Sequence, residues 1–339
     1  MMDLNTIWFL LVGVLLAGYA VLDGFDLGVG VLHLFARNEQ ERRLHLNAIG
    51  PVWDGNEVWL LTGGGALFAA FPPVYATVFS AYYLALVLVL LALIFRAVAI
   101  EFRGKVESPG WRRAWDWAFG LGSLLPTVLF GVAFGNVMRG LPIDAAGKFT
   151  GSFFTLLNPY CLLAGVLSLA VFIMHGALYL AVKTAGPLHD RMVKVASGTW
   201  IAVVVLFVVT MVATFFAAPF QFGCGPRRPL FWAFVVLLLV GLLYLPVAVK
   251  AGRSLTAFLA SSLSLVSMVG MAVACLFPRL VPSSIDLAHS LTIYNSSSTP
   301  RTLTVMLVIA LIGVPIVLAY TAWIYWTFRG KTEITEESY

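Results

Sequence analysis

Charged residues and cysteines are both scarce in this chain. Asp, Glu, Lys and Arg make up only 11% of the 339 residues, whereas ordinary soluble domains contain about 25%. The three cysteines lie far apart and form no C-x-x-C pair, so we predict neither a zinc site nor a disulfide framework. The low charge content excludes an ordinary soluble domain and directs attention to the apolar segments.

Several features that cofactors or nucleic acids would require are also missing. Of five histidines, only His175 falls in the middle of an apolar segment, and a chain that binds several haems needs several His or Met ligands at membrane depth. We therefore expect no haem ligated by this chain. The glycine run 63–65 lacks the Lys and the strand of a P-loop, and no basic cluster with aromatic residues indicates nucleic acid.

Nine long apolar segments dominate what is present. Hydrophobic residues make up 60% of the sequence and the mean hydropathy is +0.94. Runs of about 20 apolar residues are typical of spanning helices rather than of the alternating strands of an outer-membrane barrel. We predict an all-α integral membrane protein, a single polytopic domain over residues 1–339 with no attached soluble domain. Its helices cover roughly residues 7–35, 49–70, 72–100, 111–138, 152–182, 192–218, 230–249, 254–277 and 302–328.

The lysine and arginine residues predict the orientation of the chain. One set of alternate loops contains 14 of them and the other set contains six, and loops rich in Lys and Arg stay on the cytoplasmic side. We therefore expect a multi-pass protein with the N-terminus outside and the C-terminus in the cytoplasm. Cys224 and Cys275 then both lie towards the outside, which leaves a bridge between them geometrically open.

Four carboxylates interrupt the first two apolar segments and mark the candidate site. Asp23 and Asp26 are three residues apart, as are Asp54 and Glu57, so each pair lies on one face of its helix. An unpaired charge at the bilayer centre costs about 3 kcal/mol. These side chains are therefore expected to be paired, protonated, or directed towards water or protein. We predict that Arg96 in the third segment, or a helix terminus, offsets one of them.

Other interpretations of these residues stay open at the level of the sequence. Asp54 and Glu57 also suit the start of a helix, where the positive end of the helix dipole favours acids. Gly24 and Gly28 form a small-xxx-small pair that favours close helix packing, although such glycines also occur where a transporter helix is broken. Asp116 lies among three tryptophans and is predicted to be an interfacial anchor.

Long motifs spread over the whole chain are more specific than any of these single residues. They are DGFDLGVG (23–30), RNEQERR (37–43), GPVWDGNEVWLLTGGGALFAAFPPVY (50–75), IFRAVAIEFRGK (94–105), GSFFTLLNPYCLLAG (151–165), FPRLVPSSIDLAHSLT (277–292) and YTAWIYW (320–326). In these motifs the chain closely resembles subunit II of the cytochrome bd-type quinol oxidases.

The resemblance implies a nine-helix subunit, built as two four-helix bundles plus a peripheral helix, that pairs with a larger subunit I. The implied complex lies in a bacterial inner membrane, with the N-terminus of this chain in the periplasm. It is an electrogenic quinol:oxygen oxidoreductase that does not pump protons. Haems b558, b595 and d lie in subunit I, and this chain is not catalytic alone. The residues that match the family's proton-path acids are Asp23 and Asp54, with Asp26 and Glu57 as flanking matches. Further expected partners are quinol, lipid, a bound quinone and a small single-helix accessory subunit.

Two other functions are compatible with parts of the sequence. A secondary transporter would place an ion or substrate at Asp23 and Asp26 beside a broken helix, although we find no internal repeat with paired interrupted helices. A purely structural scaffold would use the same acids only for packing. A transporter should work alone in liposomes, whereas a proton-path subunit should lose turnover without losing haem when its acids are neutralised.

Overall fold

The computed structural model describes residues 3–224 and 228–334, which are almost entirely helical. In chain order the helices of this part of the chain are α1 (Leu4–His33), α2 (Glu39–Ile49), α3 (Trp53–Ala70), α4 (Pro72–Ala81), α5 (Tyr83–Phe102), α6 (Pro109–Arg139), α7 (Phe153–Leu156), α8 (Pro159–Lys183), α9 (Gly186–Ala217), α10 (Pro219–Cys224), α11 (Pro229–Lys250), α12 (Ser254–Leu276) and α13 (Pro300–Thr327). Two short strands, β1 (Arg279–Val281) and β2 (Leu291–Thr292), form an antiparallel pair between α12 and α13.

Eight helices in the described ranges are long and apolar enough to cross a membrane: α1, α5, α6, α8, α9, α11, α12 and α13. This finding confirms the predicted all-α membrane class. The second predicted segment, now α3, falls outside this group because Asp54, Asn56 and Glu57 lie in its first turns. At 1.5 Å per residue its 18 residues extend about 27 Å, close to the 30 Å hydrocarbon core of a bilayer.

Several predicted helix boundaries differ from those in the structure. The segment predicted over 72–100 is two helices, α4 and α5, which meet at Tyr82. The segment predicted over 152–182 is divided into α7 and α8, because Asn158 caps α8 by accepting a hydrogen bond from the Cys161 amide at 3.1 Å. The short helix α2 was not predicted. Its polar surface resembles a loop in sequence, and Asn38 caps its first turn.

The long helices form two groups that meet where α1 and α6 pack against α8. In the first group, α1 packs against α3 and α6, and α6 packs against α5. In the second group, α8 packs against α9 and α12, and α11 packs against α12 and α9. The helix α13 contacts α1 and α3 but leaves most of its apolar side chains exposed. This arrangement agrees with two four-helix bundles and a peripheral helix.

Glycine allows the backbones of α1 and α8 to touch. A Cβ atom on Gly28 would lie 1.9 Å from the carbonyl oxygen of Phe172, and one on Gly176 would lie 2.6 Å from the carbonyl carbon of Gly28. Only glycine fits at such a crossing. The alternative of a helix broken beside Asp23 is wrong, because α1 continues without interruption from Leu4 to His33.

A segment after α13 closes over the end of α8. The ammonium of Lys331 donates hydrogen bonds to the carbonyl oxygens of Ala181, Val182 and Thr184 at 3.1, 2.9 and 2.7 Å. The amide of Thr332 donates to the carbonyl oxygen of Lys183 at 2.7 Å. The last carbonyls of a helix have no partner within the helix, so this later segment completes α8.

The sequence left a bridge between Cys224 and Cys275 open, and this question lies outside the described residues because the side chain of Cys224 is not among them.

Candidate functional site

A buried ion-pair cluster lies between α1, α3 and α5 in the first bundle. Arg96 of α5 donates from Nη2 to Oδ1 of Asp23 at 3.0 Å, and its Nη1 donates to Oε1 of Glu57. The side chains of Arg96 and Asp23 are fully buried, whereas 23% of the Glu57 side chain is exposed. The structure therefore brings together three of the five residues that the sequence singled out.

Asp26 belongs to the same region but has a different partner. Its Oδ2 accepts a hydrogen bond of 2.7 Å from Nδ2 of Asn56, which also lies 3.4 Å from the carbonyl oxygen of Leu22. The hydroxyl of Tyr325, on α13, donates to Oδ1 of Asn56 at 3.1 Å. A peripheral helix thus reaches the interior of the first bundle through one tyrosine.

Several buried polar atoms around this cluster have no hydrogen-bond partner among the described residues. They are Oδ2 of Asp23, Oδ1 of Asp26, Nε of Arg96 and the hydroxyl of Tyr19. Buried polar atoms normally have a hydrogen-bond partner in the protein or in ordered water. We refer to Tyr19, Asp23, Asp26, Asn56, Glu57 and Arg96 together as the Arg96 cluster.

Asp54 lies apart from the Arg96 cluster. It occupies the first turn of α3, is exposed, and forms no hydrogen bond or ion pair within the described residues. Three residues separate it from Glu57, which corresponds to a rise of about 4.5 Å along the helix. Its position also suits a carboxylate that favours the positive end of the helix dipole.

Sequence reasoning missed Asn56 and Tyr325. Asn56 follows Asp54 by two residues and was read only as part of a motif, although an amide within an apolar helix needs a partner. Tyr325 lies 269 residues from Asn56, and nothing in the neighbouring sequence indicates that contact.

A second polar cluster lies where α1 ends. Nε2 of His33 lies 2.7 Å from Oδ1 of Asp116, on α6. Arg103 donates from Nε to the same oxygen at 2.5 Å, and its two terminal nitrogens donate to the carboxylate of Glu39 at 2.9 and 2.8 Å. Nε of Arg42 lies 3.4 Å from the other Asp116 oxygen. We call these five residues the His33 cluster.

The His33 cluster corrects the prediction for Asp116. This residue is 7% exposed and paired with side chains of three other elements, so it is not a simple interfacial anchor. Hydrogen bonds from Arg103 lower the pKa of Glu39. His45 of α2 lies next to His33 and is fully buried. Neither of its ring nitrogens has a partner among the described residues, and burial holds its pKa well below the ordinary value.

His175 has both ring nitrogens engaged in hydrogen bonds. Nε2 lies 3.0 Å from the carbonyl oxygen of Val21, and Nδ1 lies 2.6 Å from Oγ of Ser261. The ring also stacks on Phe258 with a centroid distance of 4.6 Å. A metal ligand needs a free nitrogen lone pair, so this arrangement fits a packing role for His175 and does not fit haem ligation.

The fold and the two clusters define a polytopic helical membrane protein with paired charges inside its first bundle. Residues 4–328 match the family model described as cytochrome bd terminal oxidase subunit II. The chain belongs to this family, which confirms the resemblance found in the motifs. As a family member it is a component of a quinol oxidase complex and thus part of an oxidoreductase.

Similar proteins extend over nearly the full chain. Cytochrome bd-I ubiquinol oxidase subunit 2 of Escherichia coli K12 is 42% identical over 98% of this chain and 96% of its own length. Cytochrome bd ubiquinol oxidase subunit 2 of Bacillus subtilis is 39% identical over 99% of both chains. A chain in the structure of the bd oxidase from Geobacillus thermodenitrificans has the same fold, with a TM-score of 0.78 at 16% identity over 96% of this chain and 99% of that chain.

Proposed function

We propose that this chain supports the haem-bearing subunit I and provides part of the cytoplasmic proton path while the complex reduces dioxygen to water with electrons from quinol. The observation that carries the proposal is the Arg96 cluster. It brings carboxylates from the fully buried interior of the first bundle to the partly exposed side of α3.

The burial of the four acids suggests an order for the path. Asp54 is exposed, Glu57 is partly exposed, and Asp23 and Asp26 are fully buried. Reduction of dioxygen consumes protons at a buried site, and carboxylates within a protein can take up and release protons there. Protons would enter at Asp54 and pass Glu57 on the way to Asp23 and Asp26, whose unpartnered oxygens can accept them.

The position of Asp54 and Glu57 also suggests where subunit I binds. Charged side chains within a membrane face protein or water rather than lipid. Large exposed apolar residues lie near them on α3 and α5, for example Leu61, one turn beyond Glu57 and 74% exposed, and Ile94, two residues before Arg96 and 50% exposed. We assign this face to the contact with subunit I.

The remaining assignments rest on the family resemblance. Haems b558, b595 and d belong to subunit I, with the N-terminus of this chain in the periplasm and the C-terminus in the cytoplasm. Quinol, lipid, a bound quinone and a single-helix accessory subunit are expected partners of the complex.

A scaffold without a proton path is the second candidate function. The contacts of Arg96 with Asp23 and Glu57 favour it, because a paired charge cluster can serve packing alone. The two functions differ in what neutralised acids do to turnover once assembly is intact.

The test compares Asp54→Asn and Asp23→Asn with Asp190→Asn in the purified complex. Asp190 is an exposed acid near the start of α9, outside both clusters. Since positioned proton-transfer groups contribute roughly 10²–10⁴-fold, we expect both site variants to lose at least about tenfold in oxygen consumption and proton uptake, with unchanged haem content. Wild-type rates in assembled Asp54→Asn and Asp23→Asn complexes would support the scaffold instead.

A further inference from the structure

The His33 cluster connects a surface cavity with the buried interior of the first bundle. The cavity has a volume of about 260 Å³ and is lined by polar residues, among them Glu39, Arg42, Glu107, Arg112 and Asp116. Asp116 forms its inner wall and contacts Nε2 of His33. The side chain of His33 is fully buried, and its Nδ1 has no partner among the described residues.

His33 shares a face of α1 with Asp26. Seven residues separate the two, which is close to two full turns, so their side chains point in nearly the same direction about 10 Å apart along the axis. Asp23 lies one further turn along. The imidazole and the carboxylate of Asp26 are thus two fully buried groups on one line of the helix.

A buried hydroxyl lies between them. A Cβ atom on Gly30 would lie 1.9 Å from Oγ of Ser123, so this α6 side chain rests against α1 between Asp26 and His33. Four residues further along α6, Thr127 is also fully buried, and its hydroxyl donates to the Ser123 carbonyl oxygen at 2.7 Å. The Ser123 hydroxyl itself donates to the carbonyl oxygen of Phe119 at 2.8 Å, so the contact between α1 and α6 contains two hydroxyls that both donate to carbonyl oxygens of α6.

We propose that this contact is a second proton entry, in which Asp116 collects protons from the cavity and His33 passes them towards Asp26. The proposal rests on the proposed function, since it supplies the same buried carboxylates. A proton bound by Asp116 moves to Nε2 of His33 while the proton on Nδ1 leaves towards the Ser123 hydroxyl, which turns from the Phe119 carbonyl oxygen and gives its own proton towards the unpartnered Oδ1 of Asp26. Before the next transfer the imidazole rotates so that its free nitrogen faces Asp116 again, so no proton moves backwards and no bond between heavy atoms changes.

The charges around His33 permit this step. The charged and titratable groups on the surrounding elements are Glu39, Arg42 and His45 on α2, Arg103 after α5, and Arg112 and Asp116 on α6. The carboxylates of Glu39 and Asp116, with Glu107 in the cavity wall, offset the guanidinium groups of Arg42, Arg103 and Arg112. Arg113, also in the cavity wall, is one further positive charge, so a proton at the imidazole meets an excess of one positive charge.

The first test variant is His33→Gln, with His289→Gln as its matched control. Glutamine can still hydrogen-bond Asp116 but cannot pass a proton through a ring. His289 lies in the loop between β1 and β2, far from α1 in sequence and outside both clusters. The readouts are proton uptake by the reduced complex after an oxygen pulse, followed with a pH-indicator dye, and oxygen consumption as a function of pH.

We expect His33→Gln to slow proton uptake at least about fivefold, which is below the roughly 10²–10⁴-fold effect of a proton-transfer group because the route through Asp54 remains. The slowing should increase as pH rises and protons become scarce, and haem content should be unchanged. His289→Gln should match the wild type. Ser123→Ala, which removes the intermediate hydroxyl and little volume, should also slow uptake and decides the question if His33→Gln fails to assemble.

The outcomes separate this inference from the proposed function. Wild-type uptake in His33→Gln and Ser123→Ala, together with slow uptake in Asp54→Asn, would overturn the second entry and leave the proposed function standing. Slow uptake in the first two variants with normal uptake in Asp54→Asn would support the entry at His33 and remove Asp54 from the path. Normal uptake in all of these variants and in Asp23→Asn would overturn both.

Discussion

Replacing Arg96 by glutamine removes the positive charge that contacts two carboxylates inside the first bundle. Arg96 and Asp23 are both fully buried, whereas Glu57 is partly exposed and can turn towards the surface. The penalty therefore falls mainly on Asp23, which is left as an uncompensated buried charge. Breaking a buried pair in this way typically costs about 3–5 kcal/mol, so we expect Arg96→Gln to destabilise the chain by this amount.

The double variant Arg96→Gln/Asp23→Asn tests the reason for that loss. It contains no unpaired charge at Asp23, so it should be more stable than Arg96→Gln alone. Contacting residues usually show a coupling free energy of about 0.5–3 kcal/mol, and here the sign should be favourable to the double variant. Asp23→Asn alone should cost less than Arg96→Gln, because Arg96 then keeps Glu57.

Denaturant unfolding of the purified complex in mild detergent provides the free energies, with Arg301→Gln as the control. Arg301 is an exposed arginine at the start of α13, so its replacement removes a positive charge without breaking a buried pair. The reasoning would be refuted if Arg96→Gln changed the free energy of unfolding no more than Arg301→Gln does, or if the double variant were less stable than Arg96→Gln.

Two further predictions concern packing and pH. Gly28→Ala should destabilise the chain by about 1–3 kcal/mol, because its methyl group has no room against α8. Gly198→Ala on α9 lies away from the face assigned to subunit I, and its Cβ meets nothing within 4 Å. This control should be neutral or stabilising by up to about 1 kcal/mol, and equal thermal stability of the two variants would contradict the prediction. His45 takes up a proton below pH 6.5 when unfolded but resists it when folded, so stability should fall as pH decreases below 6.5, by at most about 1.4 kcal/mol per pH unit. In His45→Leu the unfolding midpoint should lose this part of its pH dependence, and an unchanged slope between pH 6.5 and 5 would show that other groups cause it.

The membrane class and most long helices were predictable because their signals are local. A run of apolar residues long enough to cross a bilayer specifies a helix without knowledge of its neighbours. The helix α2 was missed for the same reason, since its polar residues gave no apolar run and its stability comes from packing on other helices. The break between α7 and α8 depends on a single cap by Asn158, which is a weak signal within an apolar segment.

The candidate site was predictable only as a set of residue types. Arg96 was the one strongly basic side chain at a depth comparable to Asp23. Because an unpaired buried charge is costly in free energy, Arg96 was predicted to be the partner of one of the carboxylates. Asp116 was misread because its neighbours in sequence are tryptophans, whereas its partners in space, His33 and Arg103, come from other helices. Sequence distance hid the contact of Asn56 with Tyr325 in the same way.

The hydrogen bonds from Lys331 to the end of α8 have a consequence for the order in which the chain folds during synthesis. The donor follows its acceptor carbonyls by about 150 residues, which a ribosome adds in about 8–30 s at 5–20 residues per second. During that interval, α9, α11, α12 and α13 are made and inserted, and the last carbonyls of α8 lack the hydrogen bonds from Lys331. The second bundle is therefore closed only after α13 has been made, and a pause or truncation before Lys331 would leave the end of α8 without these hydrogen bonds.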